Sequence, residues 1–131
     1  MTAEILTVCE SAENGITLTI RGAFYRLSVP RIPCVLPKLV IALRVRATAD
    51  EDGSHALKLY LSDLDGKSLG PPAEETFETR TIGNETYTQI AAVIEIHDIR
   101  IGIATDHLLN LQIDGESIAN TTLYVIDGSE K

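Results

Sequence analysis

The stretch Lys38-Leu-Val-Ile-Ala-Leu-Arg-Val-Arg-Ala-Thr48 decides the fold class of this chain. Apolar side chains occupy every second position from Leu39 to Ala47, and the basic side chains of Lys38, Arg44 and Arg46 stand on the alternate positions. A period of two places one set on each face of a β-strand. Residues 38–48 are therefore predicted to form a strand with one face buried and one face exposed.

The same alternation recurs on both sides of this stretch, and turn-forming residues separate the segments. The chain holds 15 Ile, 7 Val and 13 Thr, residue types that favour strands over helices. No segment shows a convincing helical pattern. The sequence predicts an all-β, two-sheet antiparallel β-sandwich of about seven or eight strands, with strands at 3–10, 16–29, 38–48, 55–62, 75–82, 85–98, 106–113 and 117–126.

Glycine and proline refine this prediction. Gly22 predicts a bulge or bend within 16–29, because the apolar phase changes there. Pro30, Pro33 and Pro37 predict a loop over 30–37 that stays out of any central strand. Residues 75–82 are predicted to form a weak, exposed edge strand. The apolar phase of the other strands predicts five core residues, namely Ile41, Leu43, Leu59, Ile94 and Leu111.

The length of 131 residues fits a single domain, 1–131, with a frayed tail at 127–131. No apolar run approaches the ~20 residues of a membrane span. The first residues lack the basic and apolar regions of a secretory signal. Neither Cys9 nor Cys34 belongs to a Cys-x-x-Cys pair. We therefore expect a cytoplasmic protein with reduced thiols and no membrane contact.

The charge is acidic overall but unevenly distributed. The net charge is −8, which disfavours binding to nucleic acid because phosphates would be repelled. Residues 14–49 nevertheless contain six basic residues and no acid. These arginines either face acidic neighbours within the molecule or form a surface for an acidic partner or a second copy. The outward positions that define a candidate interaction face are Arg26, Arg44, Arg46 and Tyr60.

No motif predicts catalysis or a bound cofactor. Gly66-Lys67-Ser68 resembles the end of a phosphate-binding loop, but the required earlier glycine is replaced by Leu61 and no helix follows. Gly115-Glu116-Ser117-Ile118-Ala119 resembles a nucleophile elbow, but its serine follows a hairpin turn rather than preceding a helix. We expect no catalytic residue and no cofactor.

Metal binding is not predicted either. The acidic turns at 50–52 and 63–65 offer oxygen ligands for Ca²⁺, but they flank one strand and stand roughly 25 Å apart. Each is interpreted as a solvated turn, with a bound ion left open. No two of the cysteines and histidines are spaced as a ligand pair on one strand face, which leaves open a site formed by residues that are distant in the sequence. These residues are Cys9, Cys34, His55, His97 and His107.

The chain resembles a family of small bacterial all-β proteins catalogued as a domain of unknown function. The resemblance implies a sandwich similar to immunoglobulin or fibronectin domains, and it supplies no catalytic residues. His107 stands where such sandwiches carry a tyrosine, so we expect it to be buried and bonded to the backbone. The shared segments are Cys9-Glu10-Ser11-Ala12, Gly22-Ala23-Phe24-Tyr25, the proline-bearing loop, the strand Leu39 to Val45, and His107 to Glu116.

These observations favour a non-enzymatic protein that acts through protein–protein contacts, including self-association as a homo-oligomer. The alternative is a module that binds a small molecule or a carbohydrate. The chain has no Trp and only 5% aromatic residues, which makes a platform for stacking sugars difficult to build.

Overall fold

The computed structural model describes residues 1–129, and within that range the fold is all-β. Its one helical element is a short 3₁₀ helix, Ala49–Glu51. The strands are β1 Thr2–Asn14, β2 Leu18–Phe24, β3 Arg26–Val29, β4 Cys34–Thr48, β5 Gly53–Ser62, β6 Ala73–Thr79, β7 Tyr87–Ile101, β8 Asp106–Ile113 and β9 Glu116–Asp127.

The strands form two sheets, as the sequence predicted. One sheet has the order β2-β1-β4-β7, and the other, which curls into a half-barrel, has the order β3-β9-β8-β5-β6. The structure has nine strands rather than seven or eight, and β3 pairs with β9 in parallel. Likeness to immunoglobulin or fibronectin domains remains a prediction.

One hydrophobic core joins the two sheets. Side chains at the predicted inward positions of β4 and β7 meet those of β5, β8 and β9. All five residues predicted for the core are at most 7% exposed, which confirms the phase assigned to their strands: Ile41, Leu43, Leu59, Ile94 and Leu111.

The predicted strand 16–29 is two strands in different sheets. The chain leaves the first sheet after Phe24 and enters the second at Arg26, so the bend falls at Tyr25. Gly22 has a φ of +64°, which favours glycine. The pairing of β2 with β1 keeps the same register on both sides of Gly22, so no bulge occurs there.

The loop predicted for 30–37 is too long, because β4 already begins at Cys34 and includes Pro37. β1 pairs with β4 no further than Val40, so at Pro37 the only neighbouring strand is β7. A proline is tolerated in a strand that has an open side, since its missing N–H need not interrupt a second ladder. The prediction that 30–37 stays out of any central strand is therefore wrong for residues 34–37, and Pro37 lies where β4 pairs on one side.

β6 and β7 are edge strands, one in each sheet, and they lie beside each other on one side of the molecule. The edge position predicted for 75–82 is confirmed for β6, although the strand covers 73–79. At the other end of the chain, β9 continues through Asp127, and the Gly128 N–H donates to Val29 O at 2.7 Å. The rest of the predicted frayed tail, 130–131, lies outside the described residues.

Candidate functional site

The four residues of the predicted interaction face lie on two different sheets. Arg44 and Arg46 alternate with buried residues of β4 and share the outer face of the first sheet. Arg26 on β3 and Tyr60 on β5 lie on the outer face of the second sheet. The structure thus brings Arg44 and Arg46 together and separates them from Arg26 and Tyr60.

Glu4 is the common partner of the two arginines on β4. Its carboxylate accepts a hydrogen bond from Arg44 Nε at 3.1 Å. It also forms a salt bridge with Arg46, in which a terminal nitrogen of Arg46 lies 2.9 Å from Glu4 Oε2. Gln89 Nε2 donates to the same carboxylate at 2.7 Å. This cluster joins β1, β4 and β7 and gives both arginines an acidic partner within the molecule. The Glu4 side chain is only 17% exposed.

Arg26 lies between two tyrosines. Its guanidinium is 5.8 Å from the ring centre of Tyr25 and 6.0 Å from that of Tyr124, within the range of cation–π contacts. Tyr25 and Tyr124 are both exposed. Tyr60 contacts a different cation, Lys58, at 5.5 Å. Arg26 and Tyr60 therefore belong to separate cation–aromatic contacts on the outer face.

A largely apolar cleft of about 420 Å³ lies between β6 and β7. Its inner wall consists of core side chains from β4, β5 and β7, and its outer wall includes the half-buried ring of Phe77 on β6. We call this feature the edge cleft. The apolar residues that line it are Leu43, Val45, Leu57, Phe77, Ile90, Ala91, Ala92, Val93 and Ile94.

Polar groups of the edge cleft come from Asn14, Glu75 and Thr76. Among residues 1–129, Glu75 is the one titratable residue in its lining. The Asn14 amide donates to Ala91 O at 2.8 Å, so the tip of the β1–β2 hairpin covers one point of the β7 edge. At the far end of that strand, Arg100 N donates to Leu69 O. The cleft is thus an apolar site with a single carboxylate. The β7 backbone makes one hydrogen bond to Asn14 at Ala91 and one to Leu69 at Arg100.

The edge of β6 is open. Its pairing partner is β5, and Ala56 of β5 faces Thr76. The Ala56 N–H donates to Asp114 Oδ1, and the Ala56 carbonyl accepts from Asp114 N, so both groups point away from β6. In an antiparallel ladder, Ala56 and Thr76 are then a non-hydrogen-bonded pair. The N–H and C=O of Thr76 therefore point outward from the sheet.

The sequence predicted this edge strand but not the cleft beside it. Alternation along β6 puts Glu75 and Phe77 on the cleft side, and Glu74 and Glu78 on the outer side. The sequence feature that could have indicated a site was the position of Glu75 on the same strand face as Phe77. Nothing in the sequence placed β7 beside β6, and the cleft depends on that placement.

A second polar cluster surrounds His55. Its Nδ1 is 2.6 Å from Asp114 Oδ2, and its Nε2 is 2.6 Å from the carbonyl oxygen of Glu51. The Thr79 hydroxyl lies 3.3 Å from Nε2 and donates to the same Glu51 oxygen. The hydrogen bond to Asp114 is the main cause of the raised pKa of His55.

This arrangement of acid, histidine and hydroxyl resembles a catalytic triad but lacks its protonation pattern. A carbonyl and a carboxylate both accept hydrogen bonds, so both ring nitrogens of His55 donate. A general base needs a free nitrogen lone pair facing the nucleophile, and here the Glu51 carbonyl occupies that position. Thr79 is also only 3% exposed. The hydrogen bonds of this cluster connect the 3₁₀ helix, β5, β6 and the β8–β9 turn.

His107 is buried, at 2% exposure, and its Nδ1 lies 2.9 Å from Thr105 O. This confirms the expected backbone bond. Cys9 and Cys34 are free cysteines, and burial raises the pKa of Cys9. In the acidic turn at 63–65, Asp63 Oδ1 accepts the N–H groups of Asp65 and Lys67, so this carboxylate closes its own turn.

Within residues 1–129, no three or more His, Cys, Asp and Glu side chains group to hold a metal ion. Over the same range, no helix has the length and apolar character needed to cross a bilayer.

Comparison with known proteins relates the fold to parts of two larger enzymes. The alkylpurine DNA glycosylase AlkC of Pseudomonas fluorescens is similar, with a TM-score of 0.52 and 11% identity over 95% of this chain and 30% of that chain. A beta-glucosidase from Listeria innocua gives a TM-score of 0.50 and 13% identity over 94% of this chain and 16% of that chain. The chain spans less than a third of either, and such likenesses show the fold alone.

Among curated proteins, none matches the chain. The model of a family of unknown function (DUF6941) matches residues 4–126, which confirms the resemblance to a domain of unknown function. Because the match includes most of the sequence, the chain belongs to the family of unknown function DUF6941.

Proposed function

We propose that this chain is a non-enzymatic protein-interaction domain that binds an extended segment of another protein at the edge cleft. The observation that carries this proposal is the open backbone edge of β6 beside an apolar cleft. A peptide that adds to an exposed sheet edge gains affinity from main-chain hydrogen bonds and specificity from pockets for alternate side chains. The edge of β6 supplies main-chain groups for such hydrogen bonds, and the edge cleft beside it supplies a pocket for side chains.

Backbone geometry supports binding by strand addition. The N–H and C=O groups of Thr76 point outward, and alternation predicts the same direction for those of Glu74 and Glu78. These groups can pair with an added strand without disturbing the β5–β6 ladder. Side chains of the added strand would then point alternately into the edge cleft and toward solvent.

The apolar wall supports the same function. Phe77 is half-buried, and Ile90 and Ala92 of β7 are also only partly covered. An apolar side chain inserted between β6 and β7 would remove these surfaces from water, which favours binding by roughly 25 cal/mol per Å² of apolar surface. Location in the cytoplasm and self-association remain predictions.

Selection of peptides from a displayed random library tests this proposal with the full chain. Thr76→Pro removes an outward N–H, and Thr76→Val keeps it as the matched control. We expect selected peptides to bind the wild type and Thr76→Val alike, and to bind Thr76→Pro at least about tenfold more weakly, a difference of ~1.4 kcal/mol. Thermal unfolding of both variants checks that they are folded.

The opposite results would reject strand addition at β6. They are failure to select any peptide that binds the wild type, or selected peptides that bind Thr76→Pro as tightly as Thr76→Val. Arg26→Ala serves as a second control, since Arg26 is on β3 at the opposite edge of the same sheet. It is expected to leave the affinity unchanged.

Binding of a small molecule is the second candidate function. The volume of the edge cleft, about 420 Å³, falls within the range typical of ligand sites. Phe77 is the one aromatic side chain in its lining, which favours a small apolar or amphipathic compound over a carbohydrate. A compound that raises the melting temperature of the wild type and of Thr76→Pro equally would support this function instead.

A further inference from the structure

We propose that the segment bound at the edge cleft is basic, and that a Lys or Arg side chain of this segment enters the cleft and pairs with Glu75. This inference rests on the proposed function and adds the chemistry of the partner.

Glu75 is placed to recognise a cation with an aliphatic stem. It lines the edge cleft on the same strand face as Phe77, two residues away. No salt bridge joins Glu75 to any other residue within 1–129. Lys and Arg can bury their methylene groups against apolar surface while the charged end reaches a carboxylate. The apolar wall and Glu75 together provide those two environments.

The side chains on the outer face of β6 also favour a basic partner. Glu74, Glu75 and Glu78 are all exposed. Glu74 and Glu78 lie on the strand face opposite to Glu75, so carboxylates stand on both faces of one short strand. Ala73–Thr79 contains no basic residue. An added strand presents side chains to both faces, and basic residues on either face would meet a carboxylate. The net charge of −8 also speeds the approach of a basic segment.

The same charges argue against a second copy of β6 as the occupant. Antiparallel pairing of two β6 edges would bring glutamates opposite glutamates, and like charges directly across two strands are destabilising. An inward charge on an edge strand is a known protection against such pairing. Pairing through this edge is therefore less favourable for a second β6 than for a basic strand.

A short capped peptide that alternates valine and lysine, labelled with fluorescein, is the probe. Its binding to the full chain is measured by fluorescence anisotropy. We expect Glu75→Gln to weaken binding about tenfold, and the neighbouring Glu74→Gln, the matched control on the outer face, to weaken it about two- to threefold. Added salt should weaken binding to the wild type more than binding to Glu75→Gln. The same peptide with glutamate in place of lysine should not bind.

Equal affinity of the lysine peptide for the wild type and Glu75→Gln would overturn the inference, and so would binding of the glutamate peptide. Either peptide can then be tested on Thr76→Pro. If the peptide that binds loses affinity there, the proposed function stands and only the basic preference is wrong. A dimer seen by sedimentation without peptide, and abolished by Thr76→Pro, would identify a second copy as the occupant and overturn the inference.

Discussion

His55 has both ring nitrogens committed to acceptors, Asp114 Oδ2 and Glu51 O. The imidazolium form satisfies both acceptors, which is why the fold raises the pKa of His55. The hydrogen bond from His55 lowers the pKa of Asp114 in turn. At the scale of single residues, the charge of this pair is linked to folding.

This linkage predicts how stability changes with pH. A histidine with a raised pKa contributes fully below its unfolded pKa, about 6.5, and the contribution is lost as pH rises through the folded pKa. The lowered pKa of Asp114 works in the opposite direction: its contribution is present above about 3.9 and is lost in acid. The pair therefore stabilises most between about pH 4 and 6.5.

Urea unfolding of the wild type and Asp114→Asn, at several pH values from about 5 to 9, measures this effect. Asn tolerates the positive φ of position 114 and keeps the acceptor for Ala56 N–H. We expect the wild type to lose more stability than the variant as pH rises. Parallel curves for the two proteins would contradict the assignment. His97→Gln is the control, because His97 is exposed.

Core packing gives a second prediction at the scale of residues. Leu111 is 0% exposed and belongs to the core that joins the sheets. Leu111→Ala should lower the free energy of unfolding by ~2–5 kcal/mol, and Ile41→Ala by a similar amount. Denaturant unfolding measures both, with the exposed Lys67→Ala as control. Near-neutral results at both core positions would show that the core has been misassigned.

At the scale of elements, the sequence predicted well wherever a strand has one buried face. β8 matches its predicted bounds, 106–113, and β4 ends at the predicted Thr48. The prediction failed where long-range placement decides the outcome. The chain passes from one sheet to the other at Tyr25 because β3 pairs with β9, which lies far along the chain. Pro37 enters β4 because β1 stops pairing before reaching it.

Because Glu4 is a partner of both Arg44 and Arg46, we expect substitutions at these three residues, on β1 and β4, to have non-additive effects on stability. Each arginine pair is worth ~0–1 kcal/mol, since Arg44 and Arg46 are 40% and 44% exposed and water screens their charges. Arg44→Ala with Arg46→Ala should barely change stability in urea unfolding. Adding these changes to Glu4→Ala should cost less than the sum, because the shared acceptor is already gone.

Light scattering on the same variants separates the two interpretations of these arginines. Pairing within the molecule predicts that the mass in solution stays the same when both arginines are replaced. A change of mass in the double variant would show that this face joins another copy.

At the scale of the whole molecule, the sequence predicted the edge strand but could not predict the edge cleft. The sequence predicts residues 75–82 as a weak, exposed edge strand, and the inward position of Leu57 and Ile94 follows from their strands. The cleft also requires β6 and β7, in different sheets, to lie side by side. That arrangement depends on how the sheets pack, which no local pattern in the sequence encodes.

The most direct test of the account is amide hydrogen exchange, residue by residue, with and without the valine–lysine peptide. Strand addition predicts that the amides of Glu74, Thr76 and Glu78, whose N–H groups point outward, exchange more slowly when the peptide is bound. The amides of β3, at the opposite edge of the same sheet, should be unaffected. Unchanged exchange along β6 with saturating peptide, or slowing confined to β3, would contradict the central claim that β6 is the binding edge.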